Sequence, residues 1–298
     1  MIKMEEKVFG FDESMQLFLK HLEQQHYSSE TSSGYKKDLE CFRRFMAKKM
    51  GEQDFPLDIV RKEELLAFMD DGRARGNSTS TIGRRISTMK SFYKFLFYEL
   101  DFPEDVASRI RVPKEHVPLG NILTEGEVKR LLSAAQLLRP EYALLFSVLY
   151  YTGSHLTPVR LIERSHVNLE EGVIYFPEIK GGKELYLPLH EQLKEQFEHY
   201  FSIYLTDENP YVFPSKRCPN QPLSASDVRN KLRAAASHAG LNYSITPQTL
   251  RRCRAMHLTN RNVPQQAIAS ILGHSDLRST MKYQRQVPGD LRGLLNML

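Results

Sequence analysis

The sequence predicts a mainly α-helical protein of two domains, the second of which also carries a small antiparallel β-sheet. Three observations predict this fold. The chain has 298 residues, which is more than one ordinary small domain needs. Apolar residues recur at helical spacing through most of its length. Between residues 172 and 189 the pattern changes to two alternating, strand-like segments around Gly181-Gly182, a dipeptide that suits a tight hairpin.

The N-terminal part predicts four helices. The first covers residues 11–26, with apolar side chains on one face, and the second opens at Ser28-Ser29-Glu30-Thr31. The third covers residues 58–71, and the fourth starts at Ser78-Thr79-Ser80-Thr81. We expect these helices to form one domain, residues 1–106. The aromatic residues Phe92 and Tyr93 are expected in its core.

A charged, proline-bearing stretch without sustained periodicity follows Asp101 and indicates a linker, which we place at residues 107–118. The second domain then covers residues 119–298. Thr124 and Glu127 are spaced as in a capping box, which opens a helix. An apolar helix over residues 142–151 is expected to be buried and to end at Gly153. Helices resume at His190 and at Ser224.

Composition excludes several classes of protein. The net charge of +5 is small, and residues 1–116 hold equal numbers of basic and acidic residues, so the excess lies in the C-terminal part. This charge alone does not establish nucleic-acid binding. The three cysteines are far apart, so neither a zinc site nor a disulfide framework is indicated, which suits the cytoplasm. No signal peptide is expected, because the N-terminal residues 1–7 contain no apolar segment of the kind that a signal peptide has. No membrane span is expected, because the longest apolar stretch is about half the ~20 residues that a span needs.

The most informative motif lies near the C-terminus. Tyr283 follows His274 by nine residues in Leu272-Gly273-His274…Met281-Lys282-Tyr283, and Arg251 lies upstream. An arginine neutralises a phosphate, a histidine passes a proton and a tyrosine hydroxyl attacks phosphorus. Each residue alone has an ordinary structural explanation, such as a solvated arginine in a basic run. Together they indicate covalent chemistry on a nucleic-acid backbone.

These residues and their spacing resemble the tyrosine recombinase, or phage integrase, family, in its short Xer-like form. The resemblance extends over nearly the whole chain. It implies that the four-helix domain is a SAM-like core-binding domain and that the second domain is catalytic. It also implies that Tyr283 forms a 3′-phosphotyrosine with DNA, and that Arg251 and His274 hold the scissile phosphate. Lys180 at the hairpin tip would be the general acid, with Lys183 as the alternative.

The chain departs from the family pattern at three positions. His155 in Thr152-Gly153-Ser154-His155 stands where the first catalytic arginine is expected, and Arg160 would face elsewhere on a helix. Gln248 replaces the histidine of a His-x-x-Arg pattern, and Arg252 stands where a second histidine is often found. The chain is therefore either a divergent active recombinase or a DNA-binding homologue that cleaves slowly or not at all. A substitution engineered at position 155 to trap a complex with DNA is a further alternative. A type IB topoisomerase would share the nucleophile but lacks this two-domain layout.

The resemblance also implies partners. Duplex DNA with a specific site would contact the helix that starts at Ser78 and Thr79, where basic side chains and hydroxyls suit phosphate contacts. A solvated charged helix face is the alternative. A homotetramer would act on two DNA sites, without metal, nucleotide or membrane, and would exchange the apolar tail Leu291, Leu294, Leu295 and Leu298 between protomers. The basic candidates for DNA binding are Arg84, Arg85, Lys90 and Lys94.

Overall fold

The protein is described by a computed structural model, which covers residues 10–112, 122–177, 184–204, 209–218, 220–273 and 281. The chain divides into two units, Met1–Val117 and Pro118–Leu298. Within the described residues, no helix has both the length and the apolar character needed to cross a membrane.

The first unit contains the four predicted helices, α1 (Phe11–Gln24), α2 (Ser29–Met50), α3 (Lys62–Ala74) and α4 (Thr79–Glu99). The third begins later than its sequence pattern predicts. Residues 57–59 form a 3-10 turn instead, closed by a bond from Val60 N to the Leu57 carbonyl. The helix starts only where the Glu64 carboxylate accepts from Arg61 N and caps the first turn.

Aromatic side chains form much of the first unit's core. The Phe11 ring lies 4.9 Å from the Phe55 ring and 5.7 Å from the Phe92 ring, distances typical of stabilising aromatic pairs. Phe92 and Tyr93 are completely buried, which confirms their predicted place in the core. Ala107 and Ile110 also pack into this core, so the packed part of the unit extends at least to Ile110.

The second unit is helical with one small sheet. Its strands are antiparallel in the order β1-β2-β3, and β2 pairs with β3 from Val173 opposite Pro188 to Phe176 opposite Leu185. The two-residue strand β1 was not predicted, because such a short segment has no periodic signal. The elements are α5 (Glu125–Gln136), α6 (Pro140–Thr152), α7 (Leu156–Arg160), β1 (Val167–Asn168), β2 (Val173–Phe176), β3 (Leu185–Pro188), α8 (Glu191–Tyr204), α9 (Ala225–His238), α10 (Pro247–Asn260) and α11 (Gln265–Leu272).

Helix α6 is the centre of the second unit. Its predicted apolar character is confirmed, because it is buried on nearly every side and packs against α5, α8 and α10. It ends at Gly153, which adopts the left-handed conformation with φ of 63°. The predicted capping box is also confirmed: Thr124 Oγ1 accepts from Glu127 N at 3.2 Å, and the Glu127 carboxylate accepts from Thr124 N at 2.8 Å. The capping box therefore fixes where α5 begins, and Gly153 fixes where α6 ends and the following loop begins.

Candidate active site

Arg251 lies in the second turn of α10 and is only 3% exposed. Its Nη1 donates to the Gly153 carbonyl at 2.6 Å, and its Nη2 donates to the Leu272 carbonyl at 2.8 Å. The alternative of a solvated arginine is therefore wrong. Both acceptors are uncharged, so these bonds orient the guanidinium while leaving its charge in place. One side chain thus connects the loop after α6 with the end of α11.

The close approach of Gly153 to Leu272 requires a glycine. A Cβ atom at position 153 would lie 2.5 Å from Leu272 Cδ2, and φ is +63°, a conformation that side chains disfavour. The loop is also held by Thr152, whose Oγ1 donates to the Val148 carbonyl at 2.7 Å and accepts from Ser154 N at 3.1 Å. The Gly153 carbonyl that accepts from Arg251 therefore has a fixed position.

Helix α11 ends at Leu272, directly before Gly273. Gly273 caps it in the left-handed conformation, with φ of 65°. The chain then continues into the segment that carries two candidate catalytic residues. His274 and Tyr283 themselves lie outside the described residues, as do the hairpin candidates Lys180 and Lys183.

The structure brings His155 and Gln248 together. They line one cleft of about 290 Å³, together with Thr157, Thr246 and Arg229. His155 is exposed and precedes the first residue of α7, and Gln248 is half-buried in the first turn of α10, one turn before Arg251. The positive end of the α10 dipole also opens here, where Thr246 caps the helix. Two of the three departures from the family pattern, His155 and Gln248, thus belong to one cleft, next to the turn of α10 that carries Arg251.

Two further arginines, Arg160 and Arg229, differ in their position relative to this cleft. Arg160 does not line this cleft; its Nη1 donates to the Leu223 carbonyl at 2.7 Å. Arg229, on α9, does line the cleft, and sequence reasoning missed it. No local motif marks this residue, because it lies on a different helix from the other residues of the cleft.

A second group of contacts holds α10 from its other side. Leu123 N donates to Cys253 Sγ at 3.2 Å, and the Leu123 carbonyl lies 2.8 Å from His257 Nε2. Because a carbonyl only accepts, His257 Nε2 is the donor, and in the neutral ring Nδ1 accepts from the Tyr150 hydroxyl at 2.9 Å. Burial lowers the pKa of His257, which favours this neutral ring. In the sequence, the only indication that Cys253 and His257 share a contact was their spacing of one helical turn.

The candidate DNA-binding residues of the first unit are partly committed to internal contacts. Ser78 caps α4, its Oγ accepting from Thr81 N at 3.2 Å. Arg84 pairs with the buried carboxylate of Asp38, and Lys90 Nζ donates to the Ser108 carbonyl at 2.9 Å. Exposed Lys94 lies 5.9 Å from the Tyr98 ring. Thr79 and Arg85, in the same helix, are half-buried.

Comparison with known proteins identifies both units. The model of the phage integrase family matches residues 121–288, and the model of the phage integrase N-terminal SAM-like domain matches residues 15–99. Tyrosine recombinase XerD of Shewanella oneidensis is 28% identical over 265 residues, covering 86% of each chain. Tyrosine recombinase XerA of Pyrococcus furiosus is 30% identical over 223 residues, covering 74% of this chain and 75% of that protein.

Solved structures show the same fold. A lambda integrase tetramer bound to a Holliday junction superposes with a TM-score of 0.77 at 19% identity, covering 93% of this chain and 78% of that one. A SAM-like helical unit followed by a helical unit with a small antiparallel sheet is the architecture of tyrosine-type site-specific DNA recombinases. The chain belongs to the phage integrase family.

Proposed function

We propose that this recombinase cuts and rejoins duplex DNA at a specific site through a covalent intermediate on Tyr283. The tyrosine oxygen attacks the scissile phosphorus, forms a 3′-phosphotyrosine and breaks the bond to the 5′ oxygen. The hydroxyl proton of Tyr283 passes to solvent water, and the ammonium of Lys180, or of Lys183 in its place, gives a proton to the departing 5′ oxygen. The phosphodiester energy is kept in the new bond, so the reverse attack by a 5′-hydroxyl rejoins a strand.

The observation that carries this proposal is the fixed guanidinium of Arg251. It is held by the Gly153 and Leu272 carbonyls before any DNA is bound. A donor fixed in advance stabilises the charge that develops on the phosphate without reorganisation during the reaction. In the proposed site, Arg251 and His274 bind non-bridging oxygens, and His155 and Gln248 contact the same phosphate from their cleft.

We propose that the first unit binds duplex DNA through residues of α4. Of its candidates, exposed Lys94 has the greatest freedom to reach a phosphate, because Arg84 is paired with Asp38 and Lys90 bonds the Ser108 carbonyl. Ser78, Thr79 and Arg85 complete the proposed DNA-binding set. Four copies are proposed to act on two sites, and the lambda integrase tetramer on a Holliday junction supports this number of copies. The apolar tail of residues 291–298 is proposed to dock on a neighbouring protomer.

A suicide substrate tests the chemistry. The target site is first selected from a random duplex pool by its binding to the full-length chain, and a nick then traps the cut strand. The wild-type chain should become linked to the DNA, and Tyr283→Phe should not. Tyr186→Phe, which removes an exposed hydroxyl on β3, is the matched control and should form the adduct. A wild-type chain that binds the site but forms no adduct would contradict the proposal.

His155 supports a second candidate, a DNA-binding homologue with weakened cleavage. A neutral imidazole offers a phosphate one donor, whereas a guanidinium offers a charged fork. If this candidate is correct, wild-type adduct formation is slow, and His155→Arg raises its rate by about 10²–10³, the value of one preorganised donor. An unchanged or lower rate would instead show that the site is complete with histidine at position 155.

A further inference from the structure

The cleft beside Arg251 contains an arginine that the family pattern does not assign. Arg229 lies on α9 and lines the same cleft as His155 and Gln248. His155 is two residues beyond Gly153, whose carbonyl accepts from Arg251, and Gln248 is one turn before Arg251. Arg229 therefore borders the space between the two positions where this chain lacks the expected cation and the expected histidine.

Hydrogen bonds hold the first turn of α9 in place, and they therefore fix the backbone position from which the Arg229 side chain extends. Arg160 Nη1 donates to the carbonyl of Leu223, two residues before the helix begins. Ser224 then caps the helix, its Oγ accepting from Asp227 N at 3.0 Å. The Asp227 carboxylate accepts from the hydroxyl of Tyr142 in the central helix α6. Arg160 thus helps to position the helix that carries Arg229.

The electrostatics of the cleft favour an anion. None of the described residues lining it is a carboxylate, and Arg229 forms no ion pair with another described residue. The nearby carboxylate of Asp227 is occupied by the Tyr142 hydroxyl. An exposed arginine that lines a cleft with no carboxylate among its described lining residues is suited to bidentate binding of a phosphate.

We propose that Arg229 is a catalytic residue that supplies, from α9, the guanidinium that the chain lacks at position 155. This inference rests on the proposed function, because its substrate is the scissile phosphate attacked by Tyr283. Arg229 contacts a non-bridging oxygen and neutralises charge in the pentacoordinate transition state, while His155 contributes a hydrogen bond. No bond of Arg229 forms or breaks.

A double-substitution cycle tests this assignment. Single-turnover adduct formation is measured at saturating suicide duplex for four full-length chains: wild type, Arg229→Gln, His155→Arg and the double variant. Arg233→Gln is the matched control, because it removes an exposed arginine one turn further along α9 and outside the cleft. The dissociation constant for the duplex is measured for each chain, so that binding and chemistry are separated.

Arg229→Gln should lower the saturated rate by about 10²–10³, and Arg233→Gln should change it by less than about threefold. In the His155→Arg chain the Arg229→Gln substitution should cost less than about tenfold, because two guanidiniums that serve one phosphate are not additive. A structural role for Arg229 would give equal losses in both backgrounds and would overturn the assignment. So would a loss confined to the dissociation constant.

The experiment distinguishes an incorrect assignment of Arg229 from a failure of the proposed Tyr283 chemistry. If the wild-type chain binds the site but forms no Tyr283-dependent adduct, the proposed chemistry fails, and the assignment of Arg229 fails with it, whether or not His155→Arg restores cleavage. If wild type forms the adduct and Arg229→Gln matches it at saturating DNA, the chemistry stands and only Arg229 is excluded.

Discussion

Arg251 and Gly153 are joined by a 2.6 Å hydrogen bond from the guanidinium Nη1 to the glycine carbonyl. The bond connects the helix that carries the phosphate-binding candidate to the loop that leads to His155. Arg251 also donates to the Leu272 carbonyl, so its side chain stabilises the packing of these segments in addition to its proposed catalytic role. Substitutions here should therefore change stability and activity together.

Arg251→Lys is expected to weaken both properties. A lysine keeps the charge but lacks the planar fork that reaches two carbonyls. We expect adduct formation at saturating DNA to fall by about 10²–10³, and the free energy of unfolding to fall by about 1–3 kcal/mol, as buried carbonyls lose their donors. Arg261→Lys, near the end of α10 and exposed, should leave both quantities nearly unchanged. Urea denaturation and single-turnover cleavage measure them.

Gly153→Ala is expected to be strongly destabilising. The added methyl would lie 2.5 Å from Leu272 Cδ2 at a left-handed φ, so we expect a loss of about 2–4 kcal/mol. Gly126→Ala in α5 is the control, since its methyl meets nothing within 4 Å, and alanine should stabilise a helix by up to about 1 kcal/mol. Thermal unfolding of both variants gives the comparison; equal melting temperatures would contradict the close packing at Gly153.

His257 is expected to make stability depend on pH. Burial lowers its pKa from the usual 6.5, although its bond to the Leu123 carbonyl opposes the shift. The unfolded chain then binds a proton at a higher pH than the folded chain, so this contribution is complete above pH 6.5 and is lost as the pH falls below it. The slope is at most about 1.4 kcal/mol per pH unit.

His257→Ala isolates this effect. At pH 7.5 we expect a loss of about 2–4 kcal/mol, because the Leu123 carbonyl and the Tyr150 hydroxyl lose a buried partner. The difference in unfolding free energy between wild type and variant should shrink toward pH 5.5. His190, whose pKa burial also lowers, remains in both chains and cancels. His238→Ala, at an exposed position, is the control. A difference that stays constant with pH would rule out His257 as the group responsible.

Two substitutions in α4 should separate DNA contact from folding. Lys94→Gln should weaken DNA binding and lower the salt slope by about one, as expected for one lost phosphate contact, without changing stability. Arg84→Gln should instead cost about 1–3 kcal/mol of stability, because the buried carboxylate of Asp38 loses its charged partner. Lys48→Gln on α2 serves as the control for both. Fluorescence anisotropy against salt, with urea denaturation, distinguishes the two outcomes.

Features encoded locally could be predicted from the sequence. Ser28, Ser78 and Thr124 each cap a helix where the pattern indicates one, because a cap and its partner lie within four residues. The pairing of β2 with β3 followed from alternation around one turn. The start of α3 was wrong because a 3-10 turn and a helix have similar apolar patterns over so few residues.

For the candidate site, the sequence could predict which residues take part but not which groups they contact. Arg251 was recognised from its motif, but the carbonyls of Gly153 and Leu272 that accept from it are backbone groups, which no residue type encodes. Arg229 and the Asp38–Arg84 pair depend on contacts between helices that are distant in sequence. Their identification required the packing of the helices, in addition to the pattern of each helix.

The burial of Cys253 has a practical consequence. Burial raises the pKa of Cys253 to about 11, so its thiol stays protonated and unreactive at neutral pH. Cys41 is also buried, whereas Cys218 is exposed. A maleimide dye should therefore label the native chain at Cys218 without any substitution. The natural sequence thus provides a single-colour reporter on the second unit for following protomer association on DNA in real time.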